Sequence, residues 1–65
     1  MKNFLSEKRI AAGLTQRQLA QMLNLHYQAI QRWERGENSP SVEIALRIAD
    51  ALNTTVEELF VLDDD

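Results

Sequence analysis

The segment Tyr27-Gln28-Ala29-Ile30-Gln31-Arg32-Trp33-Glu34-Arg35 holds the residue types best suited to chemistry in this sequence. At helical spacing Ala29, Ile30 and Trp33 fall within an arc of about 100°. Tyr27, Gln28, Gln31, Arg32, Glu34 and Arg35 are left on the opposite side. A solvated helix face ordinarily favours Lys and Glu, whereas this one carries two glutamines, two arginines and a tyrosine. Glutamine pairs bidentately with adenine N6 and N7, and arginine with guanine O6 and N7, so such a surface can read base edges. A polar face without function is the alternative that periodicity alone leaves open. Trp33 lies on the apolar arc, where core packing is expected rather than base stacking.

Nothing else in the chain assembles into a reactive constellation. There is one histidine, no cysteine and no glycine-rich phosphate loop. Glu57 and Glu58 are adjacent, so on a helix they point about 100° apart and cannot readily share a proton. A single histidine with scattered carboxylates is too little for a metal site. The expectation is therefore no enzyme, no metal, no cofactor and no small-molecule substrate.

The elements that must position the polar segment read as five helices. The first covers roughly residues 3 to 12, with Leu5, Lys8, Arg9 and Ala12 on one face and Gly13 as a left-handed stop. Thr15 opens the second through a capping box with Gln18. Leu19, Ala20, Met22 and Leu23 are expected on its buried side, and Asn24 follows in a role that tolerates the left-handed region. The third runs over about residues 27–35 and ends at Gly36. After the polar loop Glu37-Asn38-Ser39-Pro40, Ser41 caps a fourth helix reaching about Leu52. Its apolar set (Val42, Ile44, Ala45, Leu46, Ile48, Ala49, Ala51, Leu52) is wide enough to suggest burial on two sides. Thr55 and Glu58 form a second capping box, opening a short fifth helix through about Phe60. The fold class expected is all-α.

With 65 residues the chain is read as a single domain over 1–65, with an acidic tail at 61–65. A domain this small buries only about 60% of the surface of its unfolded chain, so pairing with a second copy would help it. The apolar stretch Phe60-Val61-Leu62 either closes the monomer's core or joins a dimer interface, and the dimer is the reading adopted. Asp63-Asp64-Asp65 is taken as a solvated acidic end. The apolar run Leu59-Phe60-Val61-Leu62 is far too short to cross a bilayer. The N-terminus lacks the apolar region of a signal peptide, and cysteine-free composition suits a reducing interior, so a cytoplasmic location is expected. The net charge of −3 is unevenly spread. Residues 1–36 hold six basic against two acidic groups, and residues 37–65 hold one against eight. An anion can approach the first part, and the second repels it.

The second and third helices, joined by a turn of about three residues, have the layout of a helix-turn-helix, whose second helix enters the DNA major groove. Leu14-Thr15-Gln16-Arg17-Gln18-Leu19-Ala20, Ile30-x-x-Trp33-Glu34-x-Gly36, Pro40-Ser41, Ile48-Ala49-x-Ala51-Leu52 and Val56-Glu57-Glu58-Leu59-Phe60 together resemble the Cro/CI-type (XRE) helix-turn-helix family. The match covers about residues 4–60. It implies a five-helix, lambda-repressor-like domain that binds palindromic operator DNA as a homodimer and mostly represses transcription. Carried over by position, Tyr27, Gln28, Gln31 and Arg32 face the bases. Gln16 contacts phosphate at a helix N-terminus and buttresses residue 27. Arg17 is counted with the DNA-facing set. Arg35, Asn38 and Ser39 touch the backbone beyond the recognition helix. Arg9 and Glu34 match positions that form an internal ion pair.

The sequence departs from that pattern at four positions. His26 replaces the usual Ser or Thr cap, within reach of a phosphate. Tyr27 replaces a common Arg, Gln or Ser. Asn24 replaces Gly. Glu37 sits where basic residues are frequent, which weakens phosphate binding. The competing reading is a helix-turn-helix protein-interaction module, antitoxin-like, with little DNA contact, which the acidic second half favours.

Overall fold

A computed structural model describes residues 2–62 of the chain. Among the described residues there are five helices and a two-stranded antiparallel sheet. The order is β1 (Lys2–Asn3), α1 (Leu5–Ala11), α2 (Gln16–Leu23), α3 (Tyr27–Glu34), α4 (Val42–Ala51), α5 (Val56–Leu59) and β2 (Phe60–Val61). The acidic end Asp63-Asp64-Asp65 lies outside the described residues.

Each helix contributes one wholly buried side chain to a common core: Leu5, Leu19, Ile30, Ile48 and Leu59. Ala20, Leu23, Ala49 and Leu52 fill the space between them, and Trp33 packs against this cluster from a half-buried position. The starts of three helices follow from their caps. The Thr15 hydroxyl accepts from the Gln18 amide at 3.0 Å while the Gln18 side chain accepts from the Thr15 amide at 2.8 Å. Ser41 accepts from the Ile44 amide, and Thr55 from the Glu58 amide. These contacts satisfy amides that the helices themselves leave open. Asn24 ends α2 in the left-handed region, at φ 59°, where Asn carries less penalty than most residues. Gly36 (φ 75°) turns the chain out of α3, with its amide on the Trp33 carbonyl and that of Glu37 on Arg32.

The five-helix, all-α expectation holds, with one small addition: Lys2 pairs with Val61 and Asn3 with Phe60, so α1 begins at Leu5 and α5 ends at Leu59. The Phe4 amide donates to the Leu59 carbonyl, and the pairing draws the first and last described segments side by side. Met22 is not core, being 55% exposed. At 100° per residue it lies about 60° from Leu19, on the side away from Ala20. Helix α4 is buried on one side rather than two: Ala45, Ile48 and Ala49 are covered, whereas Val42 and Leu46 are 77% and 57% exposed. Glu34, which the wheel puts on the polar side of α3, has a side chain only 9% accessible, in keeping with the internal pair with Arg9 that the resemblance implies.

Candidate nucleic-acid interface

Helix α3 is held by a largely buried charge link that ties three helices together. Arg9 Nε of α1 donates to Glu34 Oε2 at 2.7 Å, and a second guanidinium nitrogen reaches Oε1 at 3.3 Å. The remaining terminal nitrogen donates to the Leu14 carbonyl at 2.8 Å. From α2, the Gln16 side-chain amide donates to Glu34 Oε1 at 2.9 Å. Glu34 lies about 40° beyond Ile30 on the helix wheel, at the edge of the apolar arc, so the wheel alone puts it outward, whereas the family resemblance implies the internal pair with Arg9 that the structure shows. The Arg9 partner turns it inward. Asn3 adds a fourth tie: its side-chain amide donates to the Trp33 carbonyl at 2.9 Å, near the α3 C-terminus.

With that edge of α3 anchored, the opposite edge faces outward. Gln28 and Arg32, one turn apart, are exposed, and Gln31 between them is half-buried. Tyr27, expected to be exposed, is half-buried and packs against the core cluster. Its ring lies under the Arg17 guanidinium, 4.1 Å from carbon to ring centroid. The group set against residue 27 is therefore Arg17, while the Gln16 amide is engaged by Glu34. His26 precedes α3 in an extended conformation, exposed and without a side-chain capping bond.

Beyond α3, Arg35, Asn38 and Ser39 are all exposed. Arg35 Nε sits 2.7 Å from Glu37 Oε2, with both side chains at least half accessible. Glu37 thus sets a carboxylate against the exposed Arg35 cation in the loop after α3. Exposed pairs contribute at most about 1 kcal/mol. Replacement Glu37→Gln is thus expected to tighten DNA binding by about two- to fivefold per bound subunit with little change in stability. Fluorescence anisotropy on a labelled duplex measures the first, and urea unfolding the second.

Sequence reasoning missed Arg47, which donates to the Leu23 carbonyl at 3.0 Å and closes the C-terminal end of α2. It also missed Asn3. Neither carries a local signal, since both act across more than twenty residues of chain.

The helix-turn-helix family model matches residues 5–59, from the first core leucine to the last. The chain belongs to the helix-turn-helix family of Cro/CI (XRE) type. An uncharacterized HTH-type transcriptional regulator of Methanothermobacter thermautotrophicus is 41% identical, covering all of this chain and 96% of its own. One from Methanocaldococcus jannaschii is 37% identical, covering all of this chain and 98% of its own. The cryptic phage CTXphi transcriptional repressor RstR of Vibrio cholerae is 34% identical over 91% of this chain and 53% of its own length. Within the matched span, α2 and α3 with the short turn between them have the helix-turn-helix layout. No described helix is long and apolar enough to cross a membrane.

Proposed function

We propose that this helix-turn-helix protein is a sequence-specific DNA-binding transcriptional regulator, a repressor, acting in the cytoplasm on a palindromic operator as a homodimer. The observation that supports it most is the exposed Gln28–Arg32 edge on a helix whose other edge is anchored through Glu34 to Arg9 of α1 by a largely buried ion pair. Base readout needs donors and acceptors held in fixed register, and a helix tied at one edge presents the other rigidly. Tyr27, Gln28, Gln31 and Arg32 face the bases. Gln16, Arg17, His26, Arg35, Asn38 and Ser39 flank them and meet phosphates. The Gln16 nitrogen has a second N–H beyond the one given to Glu34, which leaves it a donor for an anion. Repression is supported by the name of the Vibrio cholerae relative.

Two copies are supported by the apolar surface left open. Val42 and Leu46 of α4 border a groove of about 380 Å³ with Phe60 and Val56, and Leu62 just beyond is 80% exposed. A second copy would cover this surface and space two recognition helices about 34 Å apart, one turn of DNA.

Sedimentation of the full chain, alone and with a duplex, at two salt concentrations tests this reading. The expected results are a concentration-dependent dimer, two chains per duplex, and binding that weakens steeply with salt as counterions are released. A monomer mass at all concentrations contradicts the homodimer. Salt-insensitive or absent DNA binding contradicts the regulator and favours the protein-interaction module.

A further inference from the structure

We propose that Tyr27, held in place by Arg17, reads the 5-methyl group of a thymine in each half-site. The inference rests on the DNA-binding reading above and assigns a chemistry to the one recognition-helix residue that departs most from the glutamines and arginines around it.

Tyr27 is the first residue of α3, and the N-terminal residues of a recognition helix contact base edges. Its ring is half-buried: it packs against the core and is covered by the Arg17 guanidinium at 4.1 Å. It borders a shallow surface groove of about 250 Å³ with Gln18, Gln21, Leu25 and His26. An aromatic side chain has two torsions to fix, and contacts from the core and from a cation restrict both, so the ring meets DNA with little ordering cost. What it presents is chiefly hydrocarbon. In the major groove the thymine methyl is the apolar group on offer among base edges otherwise made of donors and acceptors. The neighbouring Gln28 and Arg32 supply polar readout, and Tyr27 supplies the apolar one. Arg17 acts as a positioning residue: it fixes the ring and need not touch the base.

The test uses the full chain and an operator duplex enriched from a random pool. Each thymine is replaced in turn, in both half-sites, by deoxyuridine, which lacks only the methyl. The quantity read is the ratio of Kd values for the two duplexes on the same protein variant. Losses of folding or of phosphate contact cancel in that ratio. For the wild type, one thymine position per half-site is expected to weaken binding about fourfold per methyl lost, the factor for burying one such group. With Tyr27→Ala the ratio at that position falls to about one, and Tyr27→Gln provides the same comparison if the alanine variant does not fold. Tyr27→Phe keeps the wild-type ratio, and Arg17→Ala reduces it to about twofold as the ring loosens.

The proposal is overturned if no thymine shows an effect that disappears with Tyr27, if the operator has no thymine, or if Tyr27→Phe abolishes the ratio. The last result would assign the contact to the hydroxyl. Failure to enrich any duplex overturns the DNA-binding reading and this one with it. An enriched operator indifferent to the methyl overturns this one alone.

Discussion

Glu34→Ala is expected to cost up to about 3–5 kcal/mol of stability, the upper end being the range for breaking a fully buried ion pair by removing one partner. The Arg9 and Glu34 side chains are 12% and 9% accessible, so the substitution leaves a guanidinium without its carboxylate in a site closed to most water. The Gln16 amide loses its acceptor as well. A domain of this length has roughly 3–10 kcal/mol in total, so the variant sits near or below the folding threshold. Urea unfolding followed through Trp33, the single tryptophan, reports the change. The double variant Arg9→Met with Glu34→Leu is expected to recover much of the loss, because the cost lies in the unpaired charge rather than in the missing attraction. A double variant as unstable as Glu34→Ala would contradict this. By contrast the exposed Arg35–Glu37 pair tolerates loss of either partner.

The second large effect falls on binding. Removing a bidentate base contact costs about 1–3 kcal/mol. In the proposed homodimer each substitution is present twice, so Gln28→Ala or Arg32→Ala should weaken operator binding by about 2–6 kcal/mol in total. Both side chains are exposed and have no part in the core, so stability should change little. The loss should be confined to the specific sequence: affinity for unrelated duplex falls far less for Gln28→Ala, since glutamine adds no charge to the counterion term. Anisotropy titrations against operator and scrambled duplex separate the two. An equal loss on both would assign Gln28 to general affinity rather than to base reading.

Much of this protein is legible in its sequence because local rules and the global fold agree. Thr15, Ser41 and Thr55 announce helix starts through hydroxyl caps, and buried residues recur at helical spacing within each helix, Leu19 with Leu23 in α2 and Ala45 with Ile48 and Ala49 in α4. What periodicity misses lies at the margins of the wheel or across long chain separations. Met22 and Glu34 are both edge positions, and a neighbour decides them: nothing covers Met22, while Arg9 draws Glu34 inward. The β1–β2 pair is two residues on each side, too short for an alternating pattern, and forms because the two ends of the described chain meet. At the candidate interface the positions of Gln28 and Arg32 follow from spacing alone. The Arg17–Tyr27 stack does not, since it depends on how α2 and α3 cross.

Enrichment of a randomised duplex pool by the wild type and by Gln28→Ala in parallel, at low and high salt, tests most directly whether the outward edge of α3 reads bases. The expected outcome is a palindromic motif for the wild type, recovered less efficiently at high salt, and for the variant the same motif relaxed at one position in each half-site. Identical motifs from both proteins, or no motif from either, would contradict it.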